Sequence, residues 1–74
     1  MLLNAAPAGQ PLTLKNITGG TEVRRRLSEL GLTTGMRFEI VQIARSGPIL
    51  LRIAGSKIAL GRGMASHIEV ALSQ

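Results

Sequence analysis

The sequence contains no cysteine, tryptophan, tyrosine or aspartate, and it has one phenylalanine and one histidine. Without cysteine the chain offers no disulfide and no thiolate metal ligand, which fits a reducing compartment. Paired carboxylates and a nucleophile beside a base are both missing, so we expect no catalytic residue and no enzyme. Single-stranded nucleic-acid binders usually stack bases on several aromatic side chains, whereas this chain has only Phe38.

The length and charge of the chain limit its class. Its 74 residues leave room for one small hydrophobic core. Nine Lys and Arg against four Glu give a net charge of +5, which suits an acidic protein, a nucleic acid or an anionic membrane. No stretch approaches the roughly 18 apolar residues that cross a bilayer, and Met1-Leu2-Leu3 is too short for a signal peptide. We therefore expect a soluble, cytoplasmic protein.

One helical pattern stands out, from Thr21 to Gly31. Val23, Leu27 and Leu30 recur at helical spacing, which predicts a single apolar face packed on the core. Thr21 is the expected N-cap, and Gly31 suits the left-handed position after the last turn. The sequence therefore predicts one amphipathic helix of about three turns.

The rest of the chain has strand-like alternation broken by turn residues. Residues 1–11 are predicted to be an irregular lead, and residues 12–72 the folded domain. The strands are expected at residues 12–18, 36–44, 49–53, 57–60 and 67–71. We expect a bulge near Asn16 in the first strand, and either a bulge or burial on both faces in the second strand. Residues 61–66 are expected to form a flexible connection with a short helical turn. This pattern predicts an all-β fold with one inserted helix, closed into a small, partly open barrel of about five strands.

Three short motifs have a chemical interpretation. Gly19-Gly20-Thr21 before a helix could hold an anion, but a plain strand-to-helix turn is the favoured reading. Ser66 and His67 are neighbours on a strand, so their side chains should diverge. His67 and the four scattered glutamates lack the spacing of metal ligands, so we expect no metal site and no cofactor.

The basic cluster Arg24-Arg25-Arg26 has two readings. It is either a solvated helix face, with pairs from Glu22 to Arg26 and from Arg25 to Glu29, or part of a partner-binding surface. The partner-binding residues would then be Arg24, Arg25, Leu32, Thr33 and Thr34. Leu50 is a second apolar candidate, because it should point away from its neighbours Ile49 and Leu51, either under the helix or onto the surface.

The order of these segments resembles the ferrous-iron transport protein A (FeoA) family. The resemblance covers roughly Leu12 to Val70 and lies in the run Arg26-Leu27-Ser28-Glu29-Leu30-Gly31-Leu32-Thr33-Thr34-Gly35, in Gly47-Pro48, in Ile58-Ala59-Leu60, and in Ala65 and Ile68. It implies an SH3-like β-barrel with an inserted helix. It also implies a cytoplasmic accessory protein of bacterial ferrous-iron uptake whose partner is the membrane GTPase transporter FeoB. A similar domain ends the metal regulators of the diphtheria-toxin-repressor type.

Three functions remain open at this stage. The first is a free-standing adaptor that binds and modulates a FeoB-like transporter, with no nucleic acid as partner and with the membrane reached only through that partner. The second is a small basic SH3-like nucleic-acid binder, whose affinity would fall steeply with salt. The third is an orphaned regulator domain that senses metal or binds a proline-rich peptide, although the aromatic groove for such peptides is missing. Unpaired strand edges could also give weak homo-oligomers.

Overall fold

A single antiparallel sheet organises the molecule, and the computed structural model describes residues 1–73. Along the chain lie a 3-10 turn (Leu3–Ala5), β1 (Pro11–Ile17), α1 (Thr21–Glu29), β2 (Arg37–Ile43), β3 (Ile49–Ile53), β4 (Ser56–Leu60), α2 (Arg62–Ala65) and β5 (Ile68–Leu72). The strand order is β4-β3-β2-β1-β5. Because β4 and β5 end the sheet without pairing to each other, the barrel is partly open, which confirms the predicted fold class.

Two β-bulges bend the long strands, and both lie where the apolar alternation breaks. The pairing of β1 with β5 shifts register between Leu14 and Asn16. The pairing of β2 with β3 shifts between Ile40 and Gln42. An extra residue reverses which side chains face the core, so Ile17 is buried together with Leu14. The predicted bulge near Asn16 and the bulged alternative for the second strand are both confirmed.

The hydrophobic core begins before the first strand. Leu3 and Ala6 are buried, and the amino group of Met1 donates a 2.9 Å hydrogen bond to the carbonyl of Val70. Leu2 forms an isolated β-bridge with Glu69. The lead of residues 1–11, expected to be irregular, therefore contains an ordered turn, because Leu3 and Ala6 enter the core and the backbone of Met1 and Leu2 pairs with β5.

The start of α1 differs from the prediction. Thr21 is the first helical residue, and Gly20 occupies the cap position at φ +91° with no side-chain hydrogen bond to the helix end. The expected N-cap role of Thr21 is therefore wrong. The chain leaves β1 through two glycines with positive φ, which shifts the helix start by one residue relative to a threonine cap.

The end of α1 confirms one prediction and corrects another. Gly31 has φ +94°, its N–H bonds the Ser28 carbonyl at 3.0 Å, and the Leu32 N–H bonds the Leu27 carbonyl at 2.9 Å. This pair of bonds is a Schellman motif, and it turns the chain back so that Leu32 is fully buried. Leu30 was expected on the apolar face but is 44% exposed, because the helix ends at Glu29.

Arg62 fixes the segment that was expected to be a flexible connection. Its guanidinium donates to the carbonyls of Ala44 and Gly47, the latter at 3.0 Å from Nε. These carbonyls belong to the loop between β2 and β3, so one side chain joins α2 to a loop distant in sequence. The short helical turn predicted for this segment is confirmed as α2, whereas composition alone does not reveal where an arginine finds its acceptors.

Gly19 supports a testable prediction, because a Cβ built there would lie 2.7 Å from Nδ1 of His67 and 3.0 Å from Cγ2 of Val23. We expect Gly19→Ala to lower the free energy of unfolding by about 2 kcal/mol, part from its positive φ and part from this clash. Gly35→Ala is the matched control, since Gly35 has φ +94° and no atom within 4 Å. We expect Gly35→Ala to lower the free energy of unfolding, measured by urea unfolding, by about 1 kcal/mol.

A double variant separates the two contributions to the Gly19 effect. In a His67→Ala background, Gly19→Ala should lower the free energy of unfolding by less than it does with His67 present, and by no less than Gly35→Ala does, because the imidazole is gone but Val23 remains. If Gly19→Ala costs the same with and without His67, the ring moves aside freely and the steric part of the prediction is wrong.

Candidate functional site

Arg24, the first of the helix arginines, is bound to the protein itself. Its Nη2 donates a 3.0 Å hydrogen bond to the carbonyl of Ile17, at the end of β1. A charged donor on a backbone carbonyl contributes more than a neutral one, so this contact holds α1 against the strand that precedes it. Arg24 therefore has a structural role in addition to its predicted place on a binding surface.

Arg25 is shared by two glutamates on the outer face of α1. Its guanidinium contacts Glu22 at 2.6 Å and Glu29 at 2.8 Å. The predicted pair from Arg25 to Glu29 is confirmed, whereas the predicted pair from Glu22 to Arg26 does not form, because Glu22 binds Arg25 instead. All three side chains are more than half exposed, so these pairs contribute little to stability.

Arg26 is the helix arginine that remains available. Within residues 1–73 its side chain forms no ion pair and no hydrogen bond. It lies at an open groove between the end of α1, the end of β4 and α2, with a volume of about 360 Å³. The groove is lined by Arg26, Glu29, Leu30, Ala59, Leu60, Gly61 and Met64.

The remaining predicted site residues divide between the surface and the core. Leu32 has no exposed surface, so its assignment to a partner-binding surface is corrected: the Schellman turn carries it into the core. Thr33 and Thr34 are exposed in the following turn. Among the described residues, no hydrogen bond links these threonines to Arg24 or Arg25. Thr33 and Thr34 follow α1 closely in the sequence, but no such bond in the described structure joins them to the two arginines in a single site.

The groove was not found from the sequence. Its one sequence signal is Leu30, an apolar residue in the last turn before Gly31, which the helical spacing assigned to the core. Leu50, the other apolar candidate, is half-buried and lies between Gln42 and Ala59 in the sheet. It is therefore only partly available on the surface.

The described part of the chain lacks both a cluster of metal-binding side chains and a helix that could span a membrane. Residues 1–73 contain no group of three or more His, Cys, Asp or Glu side chains placed to hold a metal ion. Ser66 donates to the Gly63 carbonyl at 2.7 Å rather than to His67. No helix in this range has the length and apolar character needed to span a membrane.

The fold and the groove together define a class: a small SH3-like domain with an inserted helix whose outer face is charged. The FeoA domain model matches residues 1–72, so the chain belongs to the FeoA family, whose members are accessory proteins of ferrous-iron transport. The match includes the N-terminal lead, in agreement with its packing on the core.

Individual relatives agree with this family. A protein of Methanocaldococcus jannaschii named Fe(2+) transport protein A is 32% identical over 65 residues, covering 88% of this chain and 78% of that protein. A crystal structure of an iron uptake regulatory protein (FeoA) superposes with a TM-score of 0.87 at 30% identity, covering 96% of this chain and 93% of that one. Zinc-bound ScaR superposes with a TM-score of 0.91 at 20% identity over 37% of its own length, which shows a shared fold alone.

Proposed function

We propose that this protein is a cytoplasmic adaptor that binds the cytosolic part of a FeoB-like membrane GTPase transporter and modulates its assembly or GTP turnover. It acts by binding and not by catalysis, and it reaches the membrane only through its partner. Its family membership supports the link to ferrous-iron transport.

The observation that carries the binding role is the division of α1 between two faces. Leu27 is fully buried, whereas Arg24, Arg25 and Arg26 are all exposed along the same nine-residue helix. The core therefore uses one side of the helix and leaves an arginine-rich side on the surface. Arginine binds carboxylates through two parallel hydrogen bonds, which suits an acidic protein surface.

The direct test is a binding titration of the full chain with the purified cytosolic domain of the FeoB-like transporter from the same cell. Transfer RNA and single-stranded DNA are measured in parallel, at about 50 and 200 mM salt. We expect saturable binding to the transporter domain at both salt concentrations. Binding to nucleic acid alone, lost at the higher salt concentration, would contradict the adaptor and favour the basic nucleic-acid binder.

A charge-reversal pair tests the helix face. Arg24→Glu combined with Arg25→Glu should weaken transporter binding by about tenfold or more, which corresponds to about 1.4 kcal/mol. The variant should still fold, with a loss of about 1 kcal/mol because Arg24 no longer bonds the Ile17 carbonyl. Lys15→Glu with Arg37→Glu makes the same charge change on exposed strand residues of β1 and β2. If both double variants weaken binding equally, the effect is one of net charge and not of the helix face.

A further inference from the structure

β4 has one edge with no partner strand among the described residues, because it ends the sheet. Ala54 and Gly55 form a two-residue turn with φ +49° and +86°, and Ile53 pairs with Ser56 across it. In such a hairpin the pair that closes the turn exchanges hydrogen bonds, and every second residue after it does the same. The backbone N–H and C=O groups of Lys57 and Ala59 therefore point to the free edge.

The groove lies at the end of this free edge. Ala59 belongs both to the edge and to the wall of the groove, and Leu60 and Gly61 continue that wall. Leu30 is 44% exposed on the opposite side, and Met64 is only partly buried. A segment that pairs with β4 would thus bring an apolar side chain between α1 and α2.

The charges around the groove are unequal. Glu29 is already bound to Arg25, whereas Arg26 has no partner within residues 1–73. Lys57 is exposed on β4 itself and makes no ion pair in the described chain. The positive charge that remains at Arg26 and Lys57 favours a ligand with carboxylates beside its apolar side chain.

The same charges argue against a second copy of this chain in the groove. Pairing of two β4 edges would bring two Lys57 side chains and two proteins of net charge +5 together. Like charges in close cross-strand positions are destabilising. An acidic segment of a different protein meets no such repulsion.

We propose that the groove between α1, β4 and α2 binds an extended, acidic segment of the partner. The segment adds to the free edge of β4, places one apolar side chain against Leu30 and Met64, and places a carboxylate at Arg26. This inference rests on the proposed function, since the segment is assigned to the cytosolic part of the transporter. It adds the location of the ligand, its extended form and the apolar side chain that lies beside its carboxylates, none of which the exposed arginines of α1 specify.

The test compares groove variants with matched variants outside the groove, each titrated with the transporter's cytosolic domain. Leu30→Glu is matched by Leu72→Glu, whose side chain is 50% exposed on β5. Arg26→Glu is matched by Arg37→Glu on β2. We expect the groove variants to bind at least tenfold more weakly and the matched variants to remain within about threefold of the unaltered protein. Urea unfolding of all four verifies that each is folded.

A second arm does not depend on the transporter. An acetylated and amidated seven-residue peptide of alternating Glu and Leu is titrated into the isotope-labelled full chain, with a peptide of alternating Lys and Leu as control. We expect the acidic peptide alone to shift the NMR signals of the Leu30 and Met64 methyl groups and of the Lys57 and Ala59 amides. These shifts should be lost in Arg26→Glu.

The two arms separate the two proposals. If the transporter domain binds but the groove variants bind normally, the groove inference is overturned and the adaptor function stands. If the transporter domain does not bind, the adaptor function fails, and the groove inference is then judged by the acidic peptide. If both peptides give equal shifts, or if neither shifts the groove signals, the groove inference is overturned whatever the transporter does.

Discussion

Leu27→Ala is expected to lower the free energy of unfolding by about 3 kcal/mol, within the range of roughly 2 to 5 that buried leucines give. Leu27 is fully buried and is the one residue of α1 with no exposed surface. Removal of its side chain leaves a cavity under the helix, while the backbone carbonyl that closes the Schellman turn is retained. A domain of this size has roughly 5 to 10 kcal/mol of stability in total, so the loss is a large fraction. Urea unfolding followed by circular dichroism measures it.

Leu30→Ala is the matched control for this prediction. The two leucines are three positions apart in the sequence, but Leu30 is 44% exposed and Leu27 is not exposed at all. We expect Leu30→Ala to cost less than about 1 kcal/mol, because little apolar surface returns to water. Equal losses for the two variants would contradict the finding that α1 ends before Leu30.

Arg62→Ala is expected to lower the free energy of unfolding by about 2 kcal/mol. The variant removes a charged donor from the carbonyls of Ala44 and Gly47, and these carbonyls lie in the loop between β2 and β3. The loop should become more mobile, with faster amide hydrogen exchange at residues 44–47. Exchange in β1 and β5 should change only by the general loss of stability.

Arg62→Lys and Arg45→Ala define the origin of this effect. Lysine carries the same charge but lacks the planar fork that reaches two carbonyls, so we expect it to restore about half of the lost stability or less. Arg45 is exposed in the same loop, and its removal should change stability by less than about 0.5 kcal/mol. Full recovery with lysine would show that charge, rather than the two-acceptor geometry, holds the loop.

Much of the fold was predictable because it depends on local patterns. Alternation of apolar residues located the five strands to within one residue at every end. The break in that alternation between Leu14 and Ile17 indicated the bulge in β1, since only an extra residue brings both side chains to one face. Gly31 indicated the end of α1 because few other residues adopt its positive φ at low cost.

Other features were not predictable, since they depend on contacts between distant segments. Helical spacing placed Leu30 on the core, but Leu30 is 44% exposed. Leu32 was assigned to the partner-binding surface, although the glycine at position 31 also suggested that Leu32 folds back on the helix end, and the structure buries it. The lead from Met1 to Pro11 lacked an alternating pattern, so its packing against β5 had no local signal. Composition likewise gave no indication that Arg62 reaches the loop before β3.

The candidate site likewise combines features that the sequence indicated with features that depend on contacts between distant segments. Arg24, Arg25 and Arg26 are adjacent in the sequence, and from the sequence we assigned Arg24 and Arg25, but not Arg26, to the partner-binding surface. In the structure, Arg24 donates a hydrogen bond to the Ile17 carbonyl and Arg25 forms ion pairs with two glutamates. Within the described chain, Arg26 has neither kind of contact and lies at the groove. Which arginine stays available is set by the acceptors that lie within reach, and these come from β1 and from successive turns of α1.

The sequence by itself determined the strands, the single long helix, the bulge positions and the likeness to the FeoA family, because apolar periodicity and glycine positions act over a few residues. Only the tertiary structure decided which leucine at the end of α1 is buried, which arginine is unpaired, and that α1, β4 and α2 enclose a groove. A groove has walls from three separate segments, and their approach follows from the curvature of the sheet around one core rather than from any local pattern.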